Sequence, residues 1–373
     1  MMPYTLRRKV SFPARKKIIK KLVKKIETEV IIQEILSKQN VSPKELNAVI
    51  ELVKKEMLPI LLEISMPSMK KKCLDTTLDI LSKIEPWQLQ TYEGMPITFA
   101  ILIKNDDITS GELSMLDYPF VKTLSDGVTG TFELNGNGEL GYVVLKGYAN
   151  AKTYSPLRFA AISEKTAEDQ GVAIVLTRQR EILIVTNGAL SIVKRRGKWL
   201  PVNYEKYKEF MNKSLKNKIS DDVLEAIYLS ILDVSFSRTG GCIGVVTLSK
   251  DPLIEENSYS GWKKKMIEKI IDANPFHTIE REARAKLLGI DGATIIRRDG
   301  SVSSSGSIVP INGESGNFQK FFKDNDTGGR STAAKNLAQA GIGIKISNDG
   351  NVKIYNKHIR LNEHEIKNAF EFL

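Results

Sequence analysis

The sequence predicts an α/β chain: a C-terminal mixed-sheet domain flanked by helices, preceded by an α+β module and an N-terminal helical region. Three observations carry this reading. From residue 216 onwards helix-period and strand-period patterns alternate, as they must where helices are layered on a sheet. Between residues 86 and 215, short apolar runs are separated by glycine-rich turns. Ahead of residue 85 the apolar positions recur at helical spacing. The expected domains are therefore 1–85, 86–215 and 216–373. The chain has 373 residues, 42% hydrophobic and 27% charged, which is long enough and apolar enough for more than one core.

Composition also excludes several classes. No run of about 18 uncharged apolar residues occurs, so a spanning helix is not expected. The segment MMPYTLRRKVSFPARKK has no apolar core of the secretory kind, and a cytoplasmic location is expected. The 2 cysteines, Cys73 and Cys242, are far apart and form no C-x-x-C, which rules out a disulfide framework or a cysteine zinc site. Net charge is +11, and residues 1–72 hold 17 Lys+Arg against 7 Asp+Glu, leaving 38 against 37 in the rest. The excess sits in the first fifth of the chain.

That first segment reads as helical. Ile18, Ile19, Leu22, Val23, Ile26, Val30 and Ile31 recur at three-to-four spacing, with Lys16, Lys17, Lys20, Lys21, Lys24 and Lys25 towards the other side. A second helix opens at Ser42-Pro43-Lys44-Glu45, a capping-box spacing with proline at the first helical position. A third spans residues 69–84. The basic face is either a solvated face or a surface for an anionic partner such as a nucleic acid. Interleaved aromatics and a reading helix, the marks of specific DNA recognition, are missing.

Beyond residue 86, Ile97-Thr98-Phe99-Ala100-Ile101-Leu102-Ile103 reads as a strand, followed by glycine punctuation at Gly127, Gly130, Gly136, Gly138 and Gly141. Val172-Ala173-Ile174-Val175-Leu176, Ile182-Leu183-Ile184-Val185 and Ala189-Leu190-Ser191-Ile192-Val193 are further strands. Asn187-Gly188 favours a hairpin between the last two, and Lys194-Arg195-Arg196-Gly197 reads as a basic turn. Trp199 reads as a packing anchor. In the last domain, Val223, Ala226, Ile227, Leu229 and Ile231 predict a buried helix. Residues 241–248 predict a core strand, with Cys242 as a small core residue. A helix near 280–288, a strand at 293–297 and a Ser/Gly-rich loop at 301–306 follow. The last pieces are a helix at about 332–339, strands at 343–347 and 352–355, and a terminal helix.

Two short constellations in this domain carry chemistry. Asp291-Gly292-Ala293 stands between a helix and a strand, where a carboxylate can ligate a hard cation and the small residues let a ligand approach the backbone. Asp-Gly is equally an ordinary turn. Thr327-Gly328-Gly329-Arg330-Ser331-Thr332-Ala333-Ala334-Lys335 is a glycine loop running into a helix. Backbone N–H groups at a helix start point at an anion, and Arg330 can offer a two-pronged contact to phosphate. The spacing is not that of a Walker A loop, and a plain N-cap by Ser331 or Thr332 stands beside the phosphate reading. His277, His358 and His364 are scattered without metal-ligand spacing.

Taken in order, these pieces resemble the diadenylate cyclase family, whose domain also forms the N-terminal part of the DNA-integrity scanning protein. The family carries Asp-Gly-Ala, then Leu-Pro, then Gly-Thr-Arg-His-Arg-Ala-Ala, then a strand ending in serine. This chain has Asp291-Gly292-Ala293, Val309-Pro310, Gly328-Gly329-Arg330-Ser331-Thr332-Ala333-Ala334 and Ser347. Upstream, residues 235–241 resemble the entry into the family's first core strand. The resemblance covers residues 219–357.

The resemblance implies that two protomers, each holding one ATP, face each other and make cyclic di-AMP with release of pyrophosphate. It implies a homodimer or higher homo-oligomer, no membrane, and Mg²⁺ or Mn²⁺ bound by Asp291. It implies phosphates held by Arg330 and by Gly328 and Gly329, with Ser331, Thr332 and Ala333 in the binding loop. Gly292, Ala293 and Val309 would line the nucleoside, and Ser347 would lie near the phosphates. The preceding region would act as a sensor. Arg330-Ser331-Thr332 stands where the family has Arg-His-Arg, and losing one charged hydrogen bond costs about 1.5–3 kcal/mol. Lys335, one turn on, is positioned to restore part of the charge. A nucleotide-binding regulator without catalysis and a nucleic-acid-associated protein are the alternative expectations.

Overall fold

The computed structural model describes residues 58–63, 65–67, 69–105, 113–118, 121–146, 153–216, 218–246, 269, 274–309, 328–356 and 369–371. The lysine-rich helix expected at 18–31, the helix start at Ser42-Pro43, Pro310 and Thr327 lie outside the described residues. The chain forms two units. One comprises Met1–Gly147, Ala161–Asn187 and Ser191–Pro201, the other Tyr148–Ala160, Gly188–Leu190 and Val202–Leu373. Both are α/β with mixed sheets.

In the first unit, helix α1 (Lys71–Ile84) buries the stripe Cys73, Thr77, Ile80, Leu81 and Ile84. It gives way to a 3-10 turn at Glu85–Leu89, because Pro86 has no N–H to continue the α-helical ladder. A short hairpin, β1 (Thr91–Tyr92) and β2 (Met95–Pro96), leads into β3 (Phe99–Ile103). Then come α2 (Val121–Leu124), β4 (Gly130–Leu134), β5 (Leu140–Val144), α3 (Ala160–Glu168), β6 (Val172–Leu176), β7 (Ile182–Thr186), β8 (Ala189–Arg195) and β9 (Lys198–Pro201). The sheet order is β5-β4-β3-β6-β7-β8-β9. β3 and β4 run parallel, whereas β3 and β6 pair antiparallel. β3, β6 and β7 are buried throughout, which is why they read as unbroken apolar runs rather than alternating ones. Phe99, Ile101 and Ile103 meet α1 and Trp87 in one core.

The turn chemistry accounts for the hairpins. Asn187 and Gly188 take positive φ of 50° and 76°, the geometry a two-residue hairpin turn requires. Arg196 and Gly197 do the same at 50° and 75°. The basic turn expected at 194–197 is therefore only its second half. Lys194 and Arg195 complete β8, because each finds a partner. Arg195 pairs with Glu181, both side chains being almost fully buried, and Lys194 Nζ lies 3.1 Å from Glu85 and over the ring of Trp199. A guanidinium enters a core only when paired in this way.

The second unit opens with α4 (Tyr204–Leu215) and α5 (Asp221–Ser237). Asn203 caps the first by accepting the Lys206 N–H at 3.1 Å, and Ser220 caps the second, as helix starts favour. Tyr204, Tyr207 and Tyr228 pack ring on ring where these helices meet, and burial raises all three phenols above their ordinary range. Next come β10 (Gly241–Val246), α6 (Arg281–Leu288), β11 (Ala293–Arg297), β12 (Val302–Ser307), α7 (Gly329–Leu337), β13 (Gly341–Ile346), β14 (Val352–Asn356) and β15 (Ala369–Glu371). The sheet order is β12-β11-β10-β13-β14-β15. β10 and β11 are parallel; β10 and β13 are antiparallel.

One sequence expectation changes here. The Ser/Gly run at 301–306 is strand rather than loop. Its low intrinsic preference is overridden by pairing with β11, and the hydroxyls are satisfied inside: Ser305 Oγ lies 3.0 Å from Thr294 Oγ1, and Ser307 donates to Ser304 Oγ at 2.8 Å. Residues 369–371 add a strand beside β14; the terminal helix expected after residue 355 otherwise falls on residues outside those described.

Two outcomes follow from the packing. A Cβ on Gly343 would collide with the carbonyl oxygen of Ala334, so Gly343→Ala should lower unfolding free energy by about 1–3 kcal/mol, the usual overpacking cost, in urea melts. The second concerns acid. Burial pushes the Asp126 carboxyl up, but the N–H groups of Thr129, Val128 and Gly130 and the Thr129 hydroxyl outweigh it and hold it below the ordinary value. Ser301 holds Asp299 down similarly through its hydroxyl and N–H. A depressed carboxyl contributes stability above its unfolded pKa of about 3.9, and this is lost as pH falls through the folded value. Melting temperature should therefore drop on acidification below about pH 4, and Asp126→Asn should flatten part of that drop.

Candidate functional site

The two motifs singled out from the sequence meet at one end of the second sheet, and strand register brings them there. β10 and β11 run side by side with Ile243 beside Thr294, so Asp291-Gly292 lies level with Gly240-Gly241. β13 runs the other way with Ile346 opposite Gly241, so Ser347 and Asn348 emerge at the same end. The first turn of α7 reaches this end too. Arg330 Nη1 donates to Asn348 Oδ1 at 2.5 Å, and both groups occupy the space where a Cβ on Gly240 would lie. Four segments distant in sequence thus converge, and Gly240 takes a φ of +69° with no Cβ to obstruct them.

Helix α7 is held against the sheet by two missing side chains. Gly244 and Gly343 are register partners on adjacent strands, and their bare faces receive Leu337 and the Ala334 carbonyl. Around that contact Cys242, Ala293, Ile295, Val309, Ala334, Leu337 and Tyr355 form one apolar cluster, with Ala333 packed on it. Ala293 and Val309, expected to line the nucleoside, are buried in this cluster, and Ala333 of the glycine-loop motif packs against it. Burial pushes the Cys242 thiol up to about 12 against a small opposing effect of Arg330, in keeping with a core residue.

The start of α7 differs from the sequence expectation. The helix begins at Gly329, with Gly328 at the N-cap position, φ 118° and ψ 158° and no side-chain cap. Only glycine occupies that backbone region comfortably. Ser331 and Thr332 therefore lie in the first turn and cap nothing. Ser331 is 1% exposed, and the Thr332 N–H bonds the Gly328 carbonyl at 3.0 Å. Lys335 is directed elsewhere: its Nζ lies 5.8 Å from the centre of the Tyr355 ring, and Tyr355 pairs with Gly343 inside the sheet rather than at its end.

Asp291 is exposed, and its Oδ1 accepts the N–H of Gly292 at 3.2 Å. Gly292 has a φ of +103°, and its missing Cβ faces the backbone of Gly306. Among the described residues no three His, Cys, Asp or Glu side chains gather as a cation cage. The donor set fits a divalent ion held by one carboxylate together with ligand phosphates, the usual arrangement for Mg²⁺. Sequence reasoning missed Gly240, Asn348, Gly306 and the Gly244/Gly343 pair. Gly341-Ile342-Gly343 did carry a signal, since alternating glycines in a strand mark close backbone approach.

Sequence reasoning also missed a buried ion pair behind the sheet. Arg281 grips Asp233 with Nε at 2.7 Å and Nη2 at 2.8 Å, and Nη2 also donates to the Ser155 carbonyl. Burial raises the Asp233 carboxyl despite Arg281 beside it and the Leu157 N–H. This staple fastens residues 153–157 to α5 and α6 and touches none of the candidate site residues.

No protein-family model matches the chain, and no curated protein matches it. Among solved structures, the hypothetical membrane spanning protein from Bacillus cereus is 15% identical, covering 45% of this chain and 87% of its own with a TM-score of 0.26. A likeness at that score carries no argument about fold or activity. No helix among the described residues is long and apolar enough to cross a membrane.

Both cysteines are buried. A native thiol titration with a bulky disulfide reagent should therefore register neither, and denaturation should release both Cys73 and Cys242 to it. Native labelling of Cys242, assigned by peptide mapping, would show that the floor of the site is open to reagents.

Proposed function

We propose that the chain is a diadenylate cyclase, joining two ATP molecules into cyclic di-AMP, and that it works as a homodimer or larger homo-oligomer. The observation that supports this reading is the meeting of Asp291-Gly292, Gly328-Gly329-Arg330 and Ser347 at one sheet end, over an apolar floor that includes Ala293 and Val309. The chemistry needs an anion cradle, a carboxylate and an apolar surface close together. The uncapped first turn of α7 offers N–H groups to phosphate oxygens, and Arg330 adds a charged fork. Ala293 and Val309 are buried in the core cluster behind this end, which leaves the partly exposed Gly292 beside them to face a base.

In the proposed reaction, a ribose 3′-oxygen bonds to the α-phosphorus of the other ATP as the bond from that phosphorus to pyrophosphate breaks. The hydroxyl proton passes to a base, and repetition closes the ring. Mg²⁺ or Mn²⁺, when bound, supplies charge neutralisation to the phosphates. Asp291 would hold the ion and orient the 3′-hydroxyl. Arg330 and the α7 N–H groups would fix the phosphates and stabilise the charge that builds up on the leaving oxygens.

A second reading, a nucleotide-binding regulator without turnover, is favoured by one observation. Ser331, standing where the family has histidine, is buried and so is not available to replace it at the phosphates. Mass spectrometry of products from ATP with Mg²⁺ or Mn²⁺ separates the two. Cyclic di-AMP from the parent, none from Asp291→Asn and about a hundredfold less from Arg330→Ala is the outcome expected of a cyclase. ATP binding without product favours the regulator, and a protein that neither binds nor converts ATP sinks both.

A further inference from the structure

The two units repeat one fold. The first runs through α1, β3, a 3-10 turn with α2, β4, β5, α3, β6, β7 and β8; the second runs through α5, β10, a 3-10 turn with α6, β11, β12, α7, β13, β14 and β15. Sheet order agrees as well, β5-β4-β3-β6-β7-β8 against β12-β11-β10-β13-β14-β15. In each, the central strand is parallel to the next one in sequence and antiparallel to the one after the second helix.

The agreement reaches single residues. The turns at 177–181 and 347–351 are equally long. In the first, the Thr177 N–H bonds the Glu181 carbonyl at 2.9 Å and the Arg180 N–H bonds the Thr177 carbonyl at 2.9 Å. In the second, the Ser347 N–H bonds the Asn351 carbonyl at 2.9 Å and the Gly350 N–H bonds the Ser347 carbonyl at 2.8 Å. Arg180 and Gly350 supply the left-handed residue, φ 62° and 83°. One glycine stands at the start of the strand before each turn, Gly171 and Gly341, and a Cβ there would strike the central strand at the Ile103 or the Val245 carbonyl. Short hairpins recur in unrelated sheets, but a hairpin, a strand order, a parallel pair and a close-approach glycine that all coincide describe one scaffold used twice.

Register then names the equivalent positions. Ile101 pairs with Phe132 as Ile243 pairs with Thr294, so Thr129 and Gly130 stand at the levels of Asp291 and Gly292. Thr131 pairs with Val143 as Ala293 pairs with Ser307, so Tyr142 stands at the level of Gly306. Leu102 and Ala173 replace the partners Gly244 and Gly343.

Each replacement closes the site. Thr129 brings no carboxylate, and the nearby Asp126 carboxylate is taken up by its own loop, accepting N–H groups of Val128 at 2.8 Å and Thr129 at 2.7 Å. The Tyr142 hydroxyl fills the space beside Gly130 and is anchored to the Leu124 carbonyl at 2.9 Å. The glycine pair that lets a helix lie on the sheet is gone.

We infer that the first unit is a second copy of the site-bearing fold with its site closed, so that each chain holds one nucleotide site, in its second unit. The ligand in this inference rests on the proposed nucleotide reading; the closure does not.

The test uses the full chain. Calorimetry with a non-hydrolysable ATP analogue and Mg²⁺ should give one nucleotide per chain, lost in Asp291→Asn and unchanged in Asp126→Asn, which keeps the loop's acceptor oxygen. In parallel, Asp126→Ala should lower hydrogen-exchange protection across 128–134 by about tenfold or more, as expected for losing charge-assisted bonds. Two nucleotides per chain, or binding that survives Asp291→Asn and disappears with Asp126→Asn, overturns the closure. If the parent binds no analogue, the nucleotide reading fails, and exchange decides the closure alone. Lost protection in Asp126→Ala upholds it, and unchanged protection overturns it.

Discussion

The contact of α7 with its sheet governs the second unit. Gly244 and Gly343 face each other across adjacent strands, and their missing side chains let Leu337 and the Ala334 carbonyl settle onto the backbone. Two glycines inside strands cost about 0.5–1 kcal/mol each in conformational freedom, which burial of Leu337 alone, about 1.5–3 kcal/mol, offsets. The gain is positional. A helix this close to the sheet has its first turn fixed at the strand ends, and the Gly328-Gly329-Arg330 loop is delivered to the level of Asp291.

The exposed Asp291 carboxylate and the Arg330 guanidinium stand at that end with the start of α7. Asn348 holds the Arg330 guanidinium through a neutral amide oxygen at 2.5 Å, which orients the fork without neutralising it. Gly328 at the N-cap of α7 contributes no side-chain cap, and the positive end of the helix adds to the same field. The buried pair Arg281–Asp233 is the contrast. There a carboxylate meets the guanidinium in two bonds, and the result is a staple. The same residue type is answered by a carboxylate in the buried pair and by a neutral amide oxygen at the strand ends.

The first unit shows how little separates a scaffold from a site. Its strands, hairpin and glycine at the fourth-strand start match those of the second unit, and the differences are Leu102, Ala173, Tyr142 and Thr129. Three of these add side-chain volume where the other unit has a glycine, and the fourth omits a carboxylate. None disturbs the sheet ladder, because strand pairing depends on backbone groups while the site depends on what projects from them.

Much of the fold was legible in the sequence where burial and pattern agree. Phe99–Ile103, Val172–Leu176 and Ile182–Thr186 are unbroken apolar runs because both faces of these central strands are covered. Asn187-Gly188 marked its hairpin because few residues accept positive φ twice in a row. The Ser/Gly strand Val302–Ser307 was hidden, since its pairing with β11 is tertiary and its hydroxyls are satisfied only by neighbours such as Thr294. The start of α7 was misjudged by three residues because Gly328, not a hydroxyl side chain, ends the preceding loop.

By itself, then, the sequence determined the elements and the identity of the polar motifs, since these depend on local periodicity and on residue chemistry. Only the tertiary structure decided that Asp291, Arg330 and Ser347 share one sheet end, that Lys335 lies over Tyr355 instead, and that one scaffold occurs twice. Register and helix-to-sheet distance are set by which side chains are absent at facing positions, and that is a property of pairs distant in sequence.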